Sequence, residues 1–359
     1  MRKTMIVLTL ILSVLCAACV KEYDAPEGVS SFAVLIEEGE TGDDNDRIAF
    51  PDDPVGYRLT IAALDETGEV DRDYDGKVVL SVEPVGRLME GQASRLIIEN
   101  GVAQNVEVWL ESTHGDVAVW VEDAGGLDVK GSRAVGASPV LYFDHPTIAQ
   151  TQRCDDFESS ALRGDFAEIK VAERDVVVTN VRRDGFYCQD LSEPGGQYGG
   201  MYVYTHNQPT GLEEGMTLTT LRGQVDEFFG FTELGFPDYQ FSTVKIEMPE
   251  PVVLTALMTA NDDGMEALES SLVRVEDVVV CPMDDQYTAY DQWRVLLNPD
   301  GDCNEPLDTI LVSETAGIEG VDPPSMVGDE LDAVTGTLRY HYLAEPSWMI
   351  VPRRASDLE

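Results

Sequence analysis

The chain has 359 residues, and 24 Lys or Arg stand against 67 Asp or Glu, giving a formal charge of −43 at pH 7. That balance argues against a surface that holds nucleic acid by displacing counterions with Lys and Arg. Hydrophobic residues make up 43% of the sequence, ample for folded cores in two or three domains.

The acids are spread along the chain rather than gathered in a tail. Solvation of the surface is the plain reading of such a distribution, and cation binding is compatible with it.

Met1-Arg2-Lys3 supplies a positive start, and the apolar run from Ile6 to Leu15 is short for a membrane span. Cys16-Ala17-Ala18-Cys19 follows. This resembles a bacterial lipoprotein signal, with residues 1–18 as the signal peptide and Cys19 as the acylated N-terminus. The family pattern prefers Leu three positions before the cysteine, where this chain has Cys16. An ordinary cleaved signal peptide is the alternative. The resemblance implies attachment to the membrane through a lipid anchor, to which each buried CH₂ contributes ~0.8 kcal/mol. Val20 is not the aspartate that retains many such lipoproteins at the inner membrane. The implied address is therefore the outer membrane of a Gram-negative bacterium. Residues 19–30 read as a tether.

From Ser31 a β pattern begins. Strands are predicted over Phe32–Glu37, Tyr57–Leu64, Lys77–Val82, Arg95–Glu99, Ala103–Leu110 and Asp116–Val121. Asp65-Glu66-Thr67-Gly68 and Asn100-Gly101 are turns, the second a hairpin signal. Strands at this spacing predict an immunoglobulin-like sandwich over residues 31–138. DYDGKVVLSV and IIENGVAQNVEVWL also resemble repeats of bacterial surface adhesins. Between the first two strands lies an acidic loop with Asp43, Asp44, Asp46, Asp52 and Asp53, carboxylates of the kind calcium takes. Their spacing matches no EF-hand, and a solvated loop is the alternative reading.

Pro139 and Asp144-His145-Pro146 interrupt the strands and open a second domain, residues 139–250 with its lead-in. Glu250-Pro251 marks the join to a third, residues 251–359. Short helices are predicted over Asp155–Leu162 and Leu254–Leu268. The two domains repeat one pattern. Gly215 and Gly223 are eight residues apart, as are Gly328 and Gly336. Leu218 and Leu331, Val225 and Leu338, and Phe229 and Tyr342 stand at matching distances after the first glycine. Asp175-Val176-Val177-Val178 answers Asp277-Val278-Val279-Val280. Matched landmarks in one order argue for two copies of one β unit.

The motifs DGFYCQD, GGMYVYT and GQVDEFFGFTEL, with GTLRYHY…MIVPRRASDL at the end, resemble the OB-fold domains attached to secreted bacterial nucleases of the YhcR type. The resemblance covers roughly the last two hundred residues. It implies accessory domains, without a nuclease catalytic domain in this chain. The fold class is thus expected to be all-β, an immunoglobulin-like sandwich followed by two OB-like β-barrels.

Four cysteines remain after the signal. The repeat suggests one disulfide per copy, Cys154–Cys188 and Cys281–Cys303, each worth ~3 kcal/mol in an exported chain. Zinc is the alternative, although these four contain no C-x₂-C pair. Asp300, Asp302 and Asp308 lie in a turn-rich loop and are further calcium candidates, against the simpler reading of a β-turn tip.

No phosphate loop, G-x-S-x-G elbow or H-E-x-x-H motif occurs. The histidines His114, His145, His206 and His341 are scattered. His341 falls between Tyr340 and Tyr342 in a predicted strand, facing away from both. Tyr187, Tyr202, Tyr204, Phe228, Phe229 and Phe231 are candidates for a ligand-stacking platform of the OB kind. The alternative is that they fill the barrel and its rim.

These features together predict a non-catalytic, lipid-anchored envelope protein that binds or scaffolds a protein or glycan, with no cofactor beyond a candidate calcium. One alternative is a nuclease-associated protein that handles single-stranded nucleic acid through its OB-like domains. Another is a hydrolase with an unrecognised carboxylate site.

Overall fold

The structure, a computed structural model, describes residues 28–125, 133–153, 160, 162–193, 197–298, 300–342 and 346–359. The signal peptide at 1–18, Cys19, the tether up to residue 27, Cys154 and most of the predicted helix at Asp155–Leu162 lie outside the described residues.

Period-2 alternation builds the first unit. In β2 (Val55–Leu64) every second residue from Tyr57 to Ala63 is buried, and the residues between are half-buried. β2 lies between β1 (Ser31–Glu38) and β6 (Val102–Glu111), with β4 (Arg87–Leu88) at the edge. The facing sheet runs β5 (Arg95–Ile98), β3 (Gly76–Glu83), β7 (Gly115–Asp123) and β8 (Val135–Ala137). Every pairing is antiparallel, and the inward residues of both sheets form one apolar core. This is an immunoglobulin-like sandwich. All six predicted strands are present within a residue or two. β9 (Leu141–Phe143) also pairs with β7, and Leu141 and Phe143 sit in the same core, so the sandwich continues past residue 138. Asn100 and Gly101 both have positive φ and form the expected tight turn. The turn does not close a hairpin within one sheet. It passes the chain from β5 in one sheet to β6 in the other.

The second unit is a closed barrel. Its strands are β11 (Val176–Val181), β12 (Gly185–Asp190), β13 (Gly200–Tyr204), β14 (Met216–Glu227) and β15 (Thr232–Lys245), with β10 (Phe166–Glu168) added on β14. The ring order is β11-β12-β13-β15-β14 and back to β11. Only β13 and β15 are parallel. A short helix, Ile148–Gln152, precedes it, closed by a reciprocal capping box between Thr147 and Gln150.

The third unit repeats that order. β17 (Leu272–Val280), β18 (Gln292–Leu296), β19 (Thr309–Ser313), β21 (Pro346–Val351) and β20 (Glu330–Tyr342) close the ring, with β19 and β21 parallel. β16 (Val252–Val253) adds in parallel to β17. The order of the five strands in each ring is that of an OB-like barrel, so both copies are present. The helix predicted over Leu254–Leu268 is two short helices, Ala256–Thr259 and Asp262–Glu266.

The matched glycines explain why the repeat is visible. Gly215 and Gly328 have φ of +85° and +84° and turn the chain into β14 and β20, a long strand of each barrel. Gly223 and Gly336 lie inside those strands. A Cβ there would meet the carbonyl oxygen of Gly235 at 2.7 Å or of Val351 at 2.5 Å.

Candidate functional site

The outer faces of β12 and β13 carry the predicted aromatics. Val203 points into the barrel core, so Tyr202 and Tyr204 point out. Phe186 and Cys188 point in, so Tyr187 points out beside Tyr202, with ring centroids 4.7 Å apart. Phe231, just after the β14–β15 turn, completes the group at 5.5 Å from Tyr202. OB barrels use this face and its rim loops to bind oligonucleotides and oligosaccharides.

Here the second barrel occupies that face. Tyr187, Tyr202 and Phe231 are only 1%, 3% and 0% exposed. The Arg339 guanidinium, from β20, lies 5.0 Å from the Phe231 ring centre and 5.9 Å from that of Tyr202. Asn180 donates to Thr337 Oγ1 (3.1 Å) and to the Val351 carbonyl (3.3 Å). The Leu272 N–H donates to Gln189 Oε1 (3.2 Å), and the Thr232 N–H to Glu269 Oε2 (3.1 Å). A Cβ on Gly200 would lie 2.4 Å from the Glu269 carbonyl oxygen, so the two backbones meet closely. The proposed stacking role of Tyr187, Tyr202 and Phe231 is thereby corrected: they form the joint between the barrels. Tyr204 is half-buried, with its ring edge-on to His206. Phe229 is 60% exposed on the turn, next to exposed Phe228.

Buried and half-buried carboxylates lie at the joint. Glu269 is fully buried, and burial first, then the charge of Glu266, pushes its pKa well above the carboxylate range. Burial likewise raises Glu233 to about 7, against the pull of Arg339. Glu227 accepts from the Ser160 N–H (2.9 Å) and the Thr232 hydroxyl (2.9 Å).

A well-formed opening lies beside this joint. It is a cleft of about 570 Å³ between the two barrels. The turn after β11 contributes Arg182 and Arg183, and the second barrel contributes Arg339, His341 and Arg353. Arg182 is fixed by Glu314 Oε2 (2.7 Å) and the Pro352 carbonyl (3.0 Å). Arg339 meets the other oxygen of Glu314 (2.9 Å), and Arg353 pairs with Asp357 (2.8 Å). Arg183 is exposed, and nothing among the described residues pairs with it. His341 faces away from buried Tyr340, and its Nδ1 is buried without a hydrogen bond. Burial first, and then the nearby Arg339, lower its pKa. Sequence reasoning did not single out this cleft. The available signal was the two Arg-Arg pairs, Arg182-Arg183 and Arg353-Arg354, in a chain with so few basic residues.

The cysteine expectation is half met. Cys281 and Cys303 form a disulfide that fastens the 300–308 loop to the end of β17. Cys188 is a free, fully buried thiol whose Sγ lies 3.7 Å from the Met201 carbonyl oxygen, so the Cys154–Cys188 bond is corrected. The cause is the strand's pleat, which turns Cys188 into the barrel core among Val178, Met201 and Val203.

The acidic candidates close local turns. Asp43 Oδ1 accepts from the N–H groups of Asn45 (2.7 Å) and Asp46 (3.0 Å), while Arg47 pairs with Asp44 and Asp116. Asp302 accepts from the Asn304 N–H (2.9 Å), the Asp302 N–H donates to Asp308 (2.9 Å), and the Asp300 N–H donates to Asn298. Among the described residues no group of three or more His, Cys, Asp or Glu side chains is placed to share a metal ion.

A scan against protein-family models finds no match for this chain, and a search of curated proteins finds none either.

Proposed function

We propose that the chain is a non-catalytic, lipid-anchored envelope protein that acts as a binding or scaffolding module, placed at the outer membrane by acylated Cys19. The observation that carries this reading is the burial of Tyr187, Tyr202 and Phe231 under the second barrel. The face that OB barrels use for ligands serves here to lock two barrels together. The paired barrels then offer a composite cleft. Handling of single-stranded nucleic acid by the first barrel has less support, because its base-stacking rings are covered and the net charge repels a polyanion. The glycan or protein partner of the module would meet the cleft or the exposed aromatics Phe228 and Phe229.

Metabolic labelling with a palmitate analogue, comparing wild type with Cys19→Ala, tests the anchor. Label and membrane association are expected to disappear together in the variant. A wild-type chain that is never labelled and is found in the medium would contradict the reading.

A further inference from the structure

We propose that the cleft between the barrels binds an oxyanion, a carboxylate, sulfate or phosphate group, carried on a body the size of one sugar unit. The proposal rests on the reading of the chain as a binding module and names the chemistry of its ligand.

The charge around the cleft is opposite to that of the chain. The sequence has 24 basic residues against 67 acidic ones. Yet four arginines line this opening, with Asp291 and Glu314 as its only acidic lining. Both carboxylates are already engaged. Glu314 holds Arg182 and Arg339, and Asp291 accepts from the Ala316 N–H at 2.6 Å. The lining thus carries four guanidiniums against two carboxylates, a net positive wall, in which Arg182 and Arg339 share Glu314, Arg353 pairs with Asp357, and Arg183 keeps its donors for a ligand.

Two groups lack partners. Arg183 is exposed at the opening and unpaired among the described residues. The buried Nδ1 of His341 has no hydrogen bond. A planar guanidinium offers parallel N–H donors that match an oxyanion in a bidentate way. Beside these groups lie Met349 and Ile318, with Tyr290 more than half exposed, which gives a ring and apolar carbon for the body of the ligand. The volume of about 570 Å³ is in the usual range for small-ligand sites.

Size decides between a small anion and a polyanion. Exposed charges are screened beyond roughly 8–10 Å at physiological salt, so a single anionic group in the cleft feels mainly the local arginines. A long polyanion would also run over the acidic surface around it. Neither barrel alone makes the site, since Arg182 and Arg183 come from the first and Arg339, His341 and Arg353 from the second.

The test is calorimetric titration of the full chain at physiological ionic strength with glucuronate, glucose 6-sulfate, glucose 6-phosphate and glucose. At least one charged sugar is expected to bind saturably at one site, about tenfold or more tighter than glucose. The charged sugar that binds best distinguishes a uronic acid from a sulfated or phosphorylated ligand. Arg183→Ser should weaken that binding about tenfold or more with an unchanged melting temperature, because Arg183 holds nothing in the fold. Equal binding of glucose, no binding of any charged sugar at millimolar concentration, or unchanged affinity in Arg183→Ser overturns the proposal. If Cys19 is still labelled and the chain still reaches the membrane when these titrations fail, the anchored-module reading stands and only the ligand assignment falls.

Discussion

Glu269 shows most clearly what the joint costs. It is a carboxyl group only 1% exposed to water, beside Glu266 and under the Thr232 N–H. Its pKa is raised in the folded chain, so the folded state keeps a proton that the unfolded state releases. Its contribution to stability is full below the ordinary carboxylate pKa and is lost as pH rises through the folded value. Glu233, raised to about 7, acts in the same direction between roughly 4.5 and 7. Glu269→Gln keeps an oxygen acceptor and removes the ionisation. Thermal melts should show the variant more stable than wild type at pH 8 by on the order of 1 kcal/mol, about 2–4 °C, with the gain fading towards pH 4. A gain independent of pH would mean that ionisation is not the cause. Cys188 gives a second residue-level expectation. Burial first, and then Asp190, push its thiol pKa up, so little thiolate is present for reaction. Peptide mapping after alkylation should find Cys188 unmodified in the native chain and modified after unfolding. Rapid native labelling would place the thiol outside the core.

At the level of elements, the joint depends on close approach of β13 to the turn at Glu269–Ser271. Gly200 permits it. Gly200→Ala would set a methyl group against backbone atoms 2.4 Å away, and overpacking of that kind costs roughly 1–3 kcal/mol. Gly317, where an added Cβ meets nothing within 4 Å, is the control. Denaturant melts should show a loss for Gly200→Ala and no change for Gly317→Ala. Equal effects would refute the close contact. The strands and the repeat were legible because they rest on local rules. Alternation marked β2 and β7, and the paired glycines marked the start and the crowded middle of β14 and β20. The Asn100-Gly101 turn was legible as a turn, but its two strands belong to different sheets, which pairing rules alone do not reveal. The capping box of Thr147 and Gln150 was present in the sequence and marks a helix that the breaker residues nearby concealed.

For the whole molecule, the decisive fact is which surface each barrel presents to the other. That was not legible. Tyr187, Tyr202 and Phe231 have the composition of a stacking platform and equally that of a joint, and only the position of Arg339 from the second copy separates the two. The cleft was hidden for the same reason, since its arginines come from segments more than a hundred residues apart. The composite cleft exists in solution only if the joint is closed there. The most direct measurement is hydroxyl-radical footprinting of the full chain, read residue by residue by mass spectrometry. Tyr187, Tyr202 and Phe231 should be oxidised as slowly as the core residue Phe186, while Phe228 and Phe229 react quickly. Oxidation of Tyr187 and Tyr202 at the rate of Phe229 would mean that the barrels stand apart and the aromatic face is open, contrary to the joint described here.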